Sequence, residues 1–403
     1  MPNWLILTLI LLAACLPASP TPTQSAATAV EQATAGPTEP LTPTETPTPE
    51  NSPTPLPPPT AIAIPTIPPV INELPGSTLP PGFSIIKFAE LYRPTAFAFD
   101  SAGRLLATSV DGNVYLLTDA DGDGRADEQH VFAAGYYTPL GVTVQPGTGD
   151  VFVSYQGAIA RLRDTDGDGV ADESTNIITG LPFGRHQNDN LKFGPDGWLY
   201  MGIGSTCDAC FEEDYRSATI MRFDTATLAG EVFATGMRNP YDLAFHPLTG
   251  ALFATDNGRD DLGLEAPHEE LNHIIAGGNY GFPGCWDAHD QSGCAAMLPP
   301  VALFESHSSA NGLDIYGGTR FPEEYRYNAF VSILGSWLKP GVQTGVQRVA
   351  LTPEGDVYLG EAGWFIQFPE GAMPLALLFG PDDALYVGDY INDAIYRVSY
   401  GIP

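Results

Sequence analysis

Through most of the chain, apolar and polar residues alternate in short runs, and the runs come in pairs. The stretch "LKFGPDGWLY" from Leu191 shows the unit: two alternating runs around a Pro-Asp-Gly turn, which predicts a β-hairpin. The same shape recurs in "FDSAGRLLATS" from Phe99, "QPGTGDVFVSY" from Gln145, "FHPLTGALFATD" from Phe245 and "FGPDDALYVGDY" from Phe379. A weaker copy, "YGGTRFPEEYRYNAFVSI", starts at Tyr316. The first copies are ~45–50 residues apart, the spacing of a four-stranded propeller blade. A further hairpin, "LTPEGDVYLGE" at 351–361, follows too closely to be a blade and should supply outer strands of the fifth or sixth. No long helical period competes with this pattern. The expected fold is all-β: a six-bladed β-propeller of four-stranded blades.

The first 74 residues read differently. "WLILTLILLAA" at 4–14 is too short to span a bilayer and suits a signal-peptide core. It ends in "LAAC", and small residues before Cys15 resemble a bacterial lipobox, in which that cysteine is lipidated after cleavage. The amino-terminal "MPN" lacks the usual Lys or Arg, so an ordinary secretory signal is the alternative. Residues 16–74 are mostly Pro, Thr, Ala and Ser. Such a segment cannot bury enough apolar surface to offset its chain entropy. It is expected to be a disordered linker of polyproline character, reaching on the order of 170 Å at ~3 Å per residue. The domain boundaries expected are 1–15, 16–74 and 75–403. The chain should be extracytoplasmic and touch a membrane only through its lipid.

Acidic residues number 48 against 17 basic, giving a net charge of −31. That field excludes nucleic acid as a partner and favours cations. Beyond Cys15, four cysteines fall in two close pairs, Cys207/Cys210 and Cys285/Cys294. In an exported chain these read as two local disulfides. Two connections carry nearly the same string, "DADGDGRADE" at 119–128 and "DTDGDGVADE" at 164–173. Carboxylates at every second residue followed by glycine match the first half of an EF-hand loop, so Ca²⁺ is expected. The ligands would be Asp119, Asp121, Asp123 and Asp127, then Asp164, Asp166, Asp168 and Asp172. His130 and Thr175 stand where the EF-hand has its bidentate Glu, which lowers the affinity expected.

The segment just before an inner propeller strand lies at the mouth of the central channel, and "RHQNDN" at 185–190 falls there. The repeat, the acidic strings and this histidine together resemble the glucose/sorbosone dehydrogenase family over about 82–400. "GSTCDACFEEDYRSATIMRFD" resembles its sorbosone dehydrogenase branch. The resemblance implies oxidation of an aldose or aldehyde with pyrroloquinoline quinone (PQQ) and Ca²⁺, and an external electron acceptor. On the match of "RHQNDNLKFGPDGWLYMGIGS", His186 takes the place of the general base, with Gln187 beside it. A histidine titrating near neutral pH suits that role. "GMRNPYDLAFHP" at 236–247 places Arg238 and Asn239 on the quinone, with Arg238 stabilising developing charge. In "TDNGRDDLGLEAPHEELNHIIAGGNYGFP" the carbonyls of Gly258 and Arg259 would hold the catalytic Ca²⁺, with Glu269 and Glu270 as further metal ligands.

The match is incomplete. Where relatives carry a Lys, this chain has Gly335, with Lys339 four residues later; of two expected arginines only Arg348 is present. These groups pair with the quinone carboxylates. Two rival readings follow: a non-catalytic, calcium-stabilised binding propeller that lost the cofactor, and a propeller hydrolase using a channel metal, with Asn190, Asn239 and Asn311 near it. His246, His268, His273 and His307 lack metal-ligand spacing. Trp198, Tyr200, Tyr316 and Tyr386 are expected in the core; Trp286 and Trp337 are candidates for stacking on a substrate ring.

Overall fold

The computed structural model describes residues 70–401. Cys15 and nearly all of the Pro/Thr-rich segment lie outside them. The described residues form six four-stranded antiparallel sheets and one short 3₁₀ turn, Glu323–Tyr325. Five blades run straight along the sequence, at 94–134, 141–179, 188–235, 243–304 and 310–367. The sixth combines 374–400 with an outer strand, Phe83–Glu90, from the start of the domain. That strand pairs with Ala394–Tyr400, closing the ring by hydrogen bonds between the two ends of the domain. Closure removes free edges that would otherwise recruit other chains. The propeller packing begins before residue 75: Asn72 bridges Ile85 and Leu74 is buried.

The predicted hairpins form the first two strands of each blade. At "FGPDGW", the Gly194 N–H donates to the Trp198 carbonyl at 2.8 Å, and Gly197 takes φ +83°, which glycine adopts without steric cost. The hairpin at 351–361 joins the third and outer strands of the fifth blade, Gly345–Glu354 and Val357–Gln367. First strands of neighbouring blades lie against one another around the axis. Large apolar side chains fill the wedges between blades. Phe152 of the second blade meets Phe193 of the third edge-on at 5.2 Å, and Tyr386 of the sixth meets Phe99 of the first at 5.1 Å. Each such side chain contributes ~2–3 kcal/mol by burial. Tyr200, Tyr316 and Tyr386 are core, as expected, and Trp198 is half-buried under Arg222.

The two acidic strings join the third and outer strands of the first and second blades. Each docks on the preceding blade through an equivalent hydrogen bond: Ala126 N–H to the Phe88 carbonyl, and Ala171 N–H to the Phe132 carbonyl. Arg125 extends the first clamp, reaching the Lys87 carbonyl and Glu73. His130 extends the second through the Gly169 carbonyl. The loops therefore fasten blade one to blade six and blade two to blade one.

Candidate active site

The inner strand of the third blade, Asn188–Phe193, starts at the channel mouth, and His186 precedes it as expected. A cavity of about 390 Å³ opens here, lined by Arg185, His186, Arg238, Asn239, Asn257 and Glu269 among others. The His186 Nδ1 lies 3.0 Å from the Ser205 carbonyl. A carbonyl only accepts, so Nδ1 carries the proton and Nε2 keeps its lone pair. Burial first, then the neighbouring Arg238 guanidinium, hold its pKa down to about 3. This corrects the expected titration near neutrality: the imidazole stays neutral across the physiological range.

Arg238 is almost fully buried and spends its guanidinium on four acceptors. Nε donates to the Asp208 carbonyl at 3.0 Å and Nη2 to the Asp208 carboxylate at 2.7 Å. Nη2 also reaches Asp260 at 3.0 Å, and Nη1 reaches the Asn257 carbonyl at 3.2 Å. Arg185 pairs with Asp260 and lies 3.7 Å from Asp208. The cavity's two arginines thus share two carboxylates. Asp208 sits inside the Cys207–Cys210 bridge, so the disulfide fixes the loop that grips Arg238. Cys285 and Cys294 are also bonded, as expected. Sequence reasoning missed Asp208 and Asp260; the signal was the acid enclosed by two cysteines.

Asn239 sits beside Arg238, its N–H donating to Asp256 at 2.7 Å. Its Oδ1 is buried without a donor, and so is that of Asn257. Gln187 departs from its expected place. It does not line the cavity, because its amide is bound to the Thr138 carbonyl at 2.9 Å.

A smaller space beside this cavity is bordered by Asp256, Gly258, Arg259, Glu270 and Trp286. The Gly258 N–H donates to Glu269 at 2.6 Å, and Glu270 accepts from Asp287 N–H at 3.2 Å. Arg259 lies over Trp286, 5.7 Å from its centroid. Burial raises the Asp256 pKa to about 7 and that of Glu269 to about 8. It also pushes Glu270 well above the carboxylate range, with the Asp256 charge adding to the effect. Buried carboxylates with so few cations near them are suited to a metal ion. Asp256 was missed by sequence reasoning because it lies on a buried strand, where its pattern is that of core.

The acidic strings behave otherwise. Asp119, Asp121 and Asp127 bring carboxylate oxygens within 4.8 Å of one another, as do Asp164, Asp166 and Asp172. Asp123 and Asp168 fall outside those clusters. Each instead accepts from the backbone two residues on, at Arg125 and Val170. The late lysine and the one expected quinone contact beyond blade four, Arg348, both lie outside the channel cavity. Lys339 is held by Glu265 at 3.0 Å and Glu305 at 3.3 Å. Arg348 is on the third strand of blade five and lines a separate outer cavity, so it does not meet His186. Trp337 lines the channel cavity and is exposed. His307 lines it too, its Nε2 donating to the Gly263 carbonyl at 2.7 Å, although sequence spacing gave it no role.

Comparison with known proteins places the chain in a family. The model of a family described as a domain of unknown function, DUF7133, matches residues 77–399, and the chain belongs to that family. Quinoprotein glucose dehydrogenase B of Acinetobacter calcoaceticus is 26% identical over an alignment of 184 residues that covers 37% of this chain and 37% of its own. The chain spans little more than a third of the length of such curated relatives. Among solved structures, the calcium structure of a Trichoderma reesei family AA12 carbohydrate-active enzyme superposes with a TM-score of 0.68. It is 18% identical and covers 82% of this chain and 98% of its own. The PQQ-bound aldose sugar dehydrogenase of Streptomyces coelicolor gives a TM-score of 0.61 at 20% identity, over 80% of this chain and 99% of its own. At these identities the likeness establishes the shared propeller fold.

Proposed function

We propose that the chain is a PQQ-dependent oxidoreductase that oxidises an aldose or related aldehyde, of the sorbosone dehydrogenase branch. The observation that carries this reading is the neutral His186 at the channel mouth. Its Nδ1 is fixed by Ser205 and its Nε2 lone pair is free to take a substrate hydroxyl proton. PQQ, when bound, supplies the hydride acceptor. The two arginines of the 390 Å³ cavity suit the anionic oxygens of such a group, and the unpartnered Asn239 and Asn257 oxygens call for a hydrogen-bond donor on it. Arg238 holds charge there, and the Gly258 and Arg259 carbonyls with Asp256, Glu269 and Glu270 border the place for Ca²⁺. The acidic loops take Ca²⁺ in a structural role, fastening neighbouring blades.

Around this domain we place a signal peptide with lipidation at Cys15, a Pro/Thr-rich linker over 16–74, and an extracytoplasmic site reached by a sugar and an external electron acceptor. The two disulfides support an oxidising compartment. A second reading, a binding propeller without the cofactor, is favoured by the positions of Lys339 and Arg348, neither of which lines the cavity. The deciding experiment is titration of the purified chain with PQQ, with and without Ca²⁺, followed by dye reduction on an aldose series. A quinone spectral shift and turnover support the enzyme. Saturating PQQ with neither leaves the binding propeller.

A further inference from the structure

The outer strand of blade five, Val357–Gln367, is the longest of the six outer strands, and its far edge joins no other sheet. The chain itself occupies the two ends of that edge. The Gly360 N–H donates to the Val301 carbonyl at 3.1 Å, and Thr78 and Gln367 exchange hydrogen bonds at 2.9 and 3.1 Å. Pro80, which has no N–H to offer, turns the entering chain away two residues after Thr78. Alternate residues of an antiparallel strand send both backbone groups to the same side. Ala362 and Trp364 therefore face outward in step with Gly360, and the register shift at Phe365 brings Gln367 back into step. Among the described residues, the N–H and carbonyl groups of Ala362 and Trp364 have no partner on that side. Residues 361–364 are all exposed. The edge thus has a gap of roughly 20 Å, at ~3.3 Å per residue, between two segments already paired to it.

A cavity of about 410 Å³ runs along this gap, apart from the channel. Its floor is one face of the sheet, where Arg348 stands opposite Gly363 and Ala350 opposite Glu361. Gly363 leaves a hole in that floor, since an added Cβ would meet nothing within 4 Å. Tyr325, fixed by ring contacts to Phe83 and Phe365 at 5.2 and 5.5 Å, closes one side. The Arg348 guanidinium lies over it, 5.0 Å from the centroid, and its one polar contact is the Glu324 carbonyl at 3.4 Å. In a chain of net charge −31, Arg348 forms no ion pair among the described residues. A guanidinium fork stacked on an aromatic ring is preorganised to take a carboxylate through two hydrogen bonds. Trp364 stands opposite Gln347, so its half-exposed ring is on the other face of the sheet. Side chains of an added strand alternate between those two faces. One would drop over Gly363 toward Arg348, and its two neighbours would lie on the side of Trp364. The open N–H and carbonyl groups select an extended backbone over a compact small molecule.

We propose that the edge at 361–366 takes an extended segment of another protein as an added strand, with an acidic side chain seated over Gly363 on Arg348. The site is independent of the channel reaction. Selection of a random nonapeptide display library on the whole chain tests it, the enriched nonapeptides then being synthesised and titrated by calorimetry. They should share one Asp or Glu with an apolar residue on either side. Ala362→Pro removes an outward N–H and no ladder bond, a change that edge strands accept. It should melt like the wild type and weaken binding about 10-fold or more. Arg348→Ala should weaken binding by a similar factor and abolish the advantage of the acidic nonapeptides over versions with Gln in place of the acid. N-methylation of alternate peptide nitrogens should abolish binding in one phase and spare it when shifted by one residue. His186→Ala should bind as the wild type does. Absence of enrichment, binding undiminished by Ala362→Pro, equal affinity for the Gln versions, or indifference to the phase of N-methylation would each overturn the proposal. So would a dimer in sedimentation that Ala362→Pro dissolves, because a second copy of the chain would then hold the edge.

Discussion

The protein holds two sets of carboxylates in opposite surroundings. At the outer rim, the acids of 119–128 and 164–173 are mostly exposed and satisfied by their own loops. Asp119 accepts from Gly122 and Gly124, and Asp164 from Gly167 and Gly169. At the channel mouth, Asp256, Glu269 and Glu270 are buried between strands. Water screens the first set, so hydrogen bonds dominate: Thr165 holds the Asp172 pKa below the usual range. Burial dominates the second set and drives it upward. The same functional group is thus a local loop organiser outside and, inside, a buried acid whose charged form is costly.

The contrast is sharpest in catalysis. With PQQ and Ca²⁺ in excess, His186→Ala should lower turnover by ~10²–10⁴-fold while still binding the quinone, the range for a positioned general base. The double variant Asp121→Ala with Asp166→Ala should leave turnover unchanged under the same conditions. Equal losses in steady-state kinetics would erase the distinction between mouth and rim.

Stability should show the reverse weighting. If the rim loops bind Ca²⁺ as proposed, each should add ~2.7 kcal/mol at free ion 100 times the dissociation constant. Chelation should lower the melting temperature, and the same double Asp→Ala variant should lose that rim contribution. A wild-type melting temperature indifferent to chelator would remove Ca²⁺ from the rim loops.

The pH dependence separates the sets further. Asp256 and Glu269 have folded pKa values raised to about 7 and about 8, so the folded chain binds more protons than the unfolded one above pH ~4. Their contribution should favour folding at low pH and be lost as pH rises through 7 to 8. His186 acts oppositely. Depressed to about 3, it costs stability as pH falls below ~6.5, where only the unfolded chain takes up the proton. Denaturant melts of Glu269→Gln without Ca²⁺ should therefore show a shallower decline between pH 6 and 9 than the wild type. An unaltered slope would place the charge elsewhere.

The smallest effect is expected at the exposed ion pairs of Lys339. Lys339→Ala removes contacts to the exposed Glu265 and Glu305 and should leave the midpoint of chemical denaturation nearly unchanged.

Legibility in the sequence followed the range of the interactions. The hairpins, the acidic loops and both disulfides depend on residues close in the chain, and all appear where local pattern put them. Arg348 failed as a channel residue because register along the sequence does not say which strand of a blade faces the axis. Gln187 failed because its partner, Thr138, belongs to the connection between the first and second blades. Asp208 and Asp260, which hold the channel arginines, are 52 residues apart in the chain and meet where the Asp260 N–H donates to the Asp208 carboxylate.

By itself, then, the sequence determined the blade repeat, the number of blades, the local bridges and the position of His186 before an inner strand. These rest on period-two alternation, turn residues and short loops, whose energetics are nearly complete within a few residues. Tertiary structure alone decided which charges share a cavity, that His186 stays neutral, that Asp256 joins the buried acids, and that Arg348 faces an outer cavity. Those outcomes depend on desolvation and on distances between blades, and both exist only once the ring has closed.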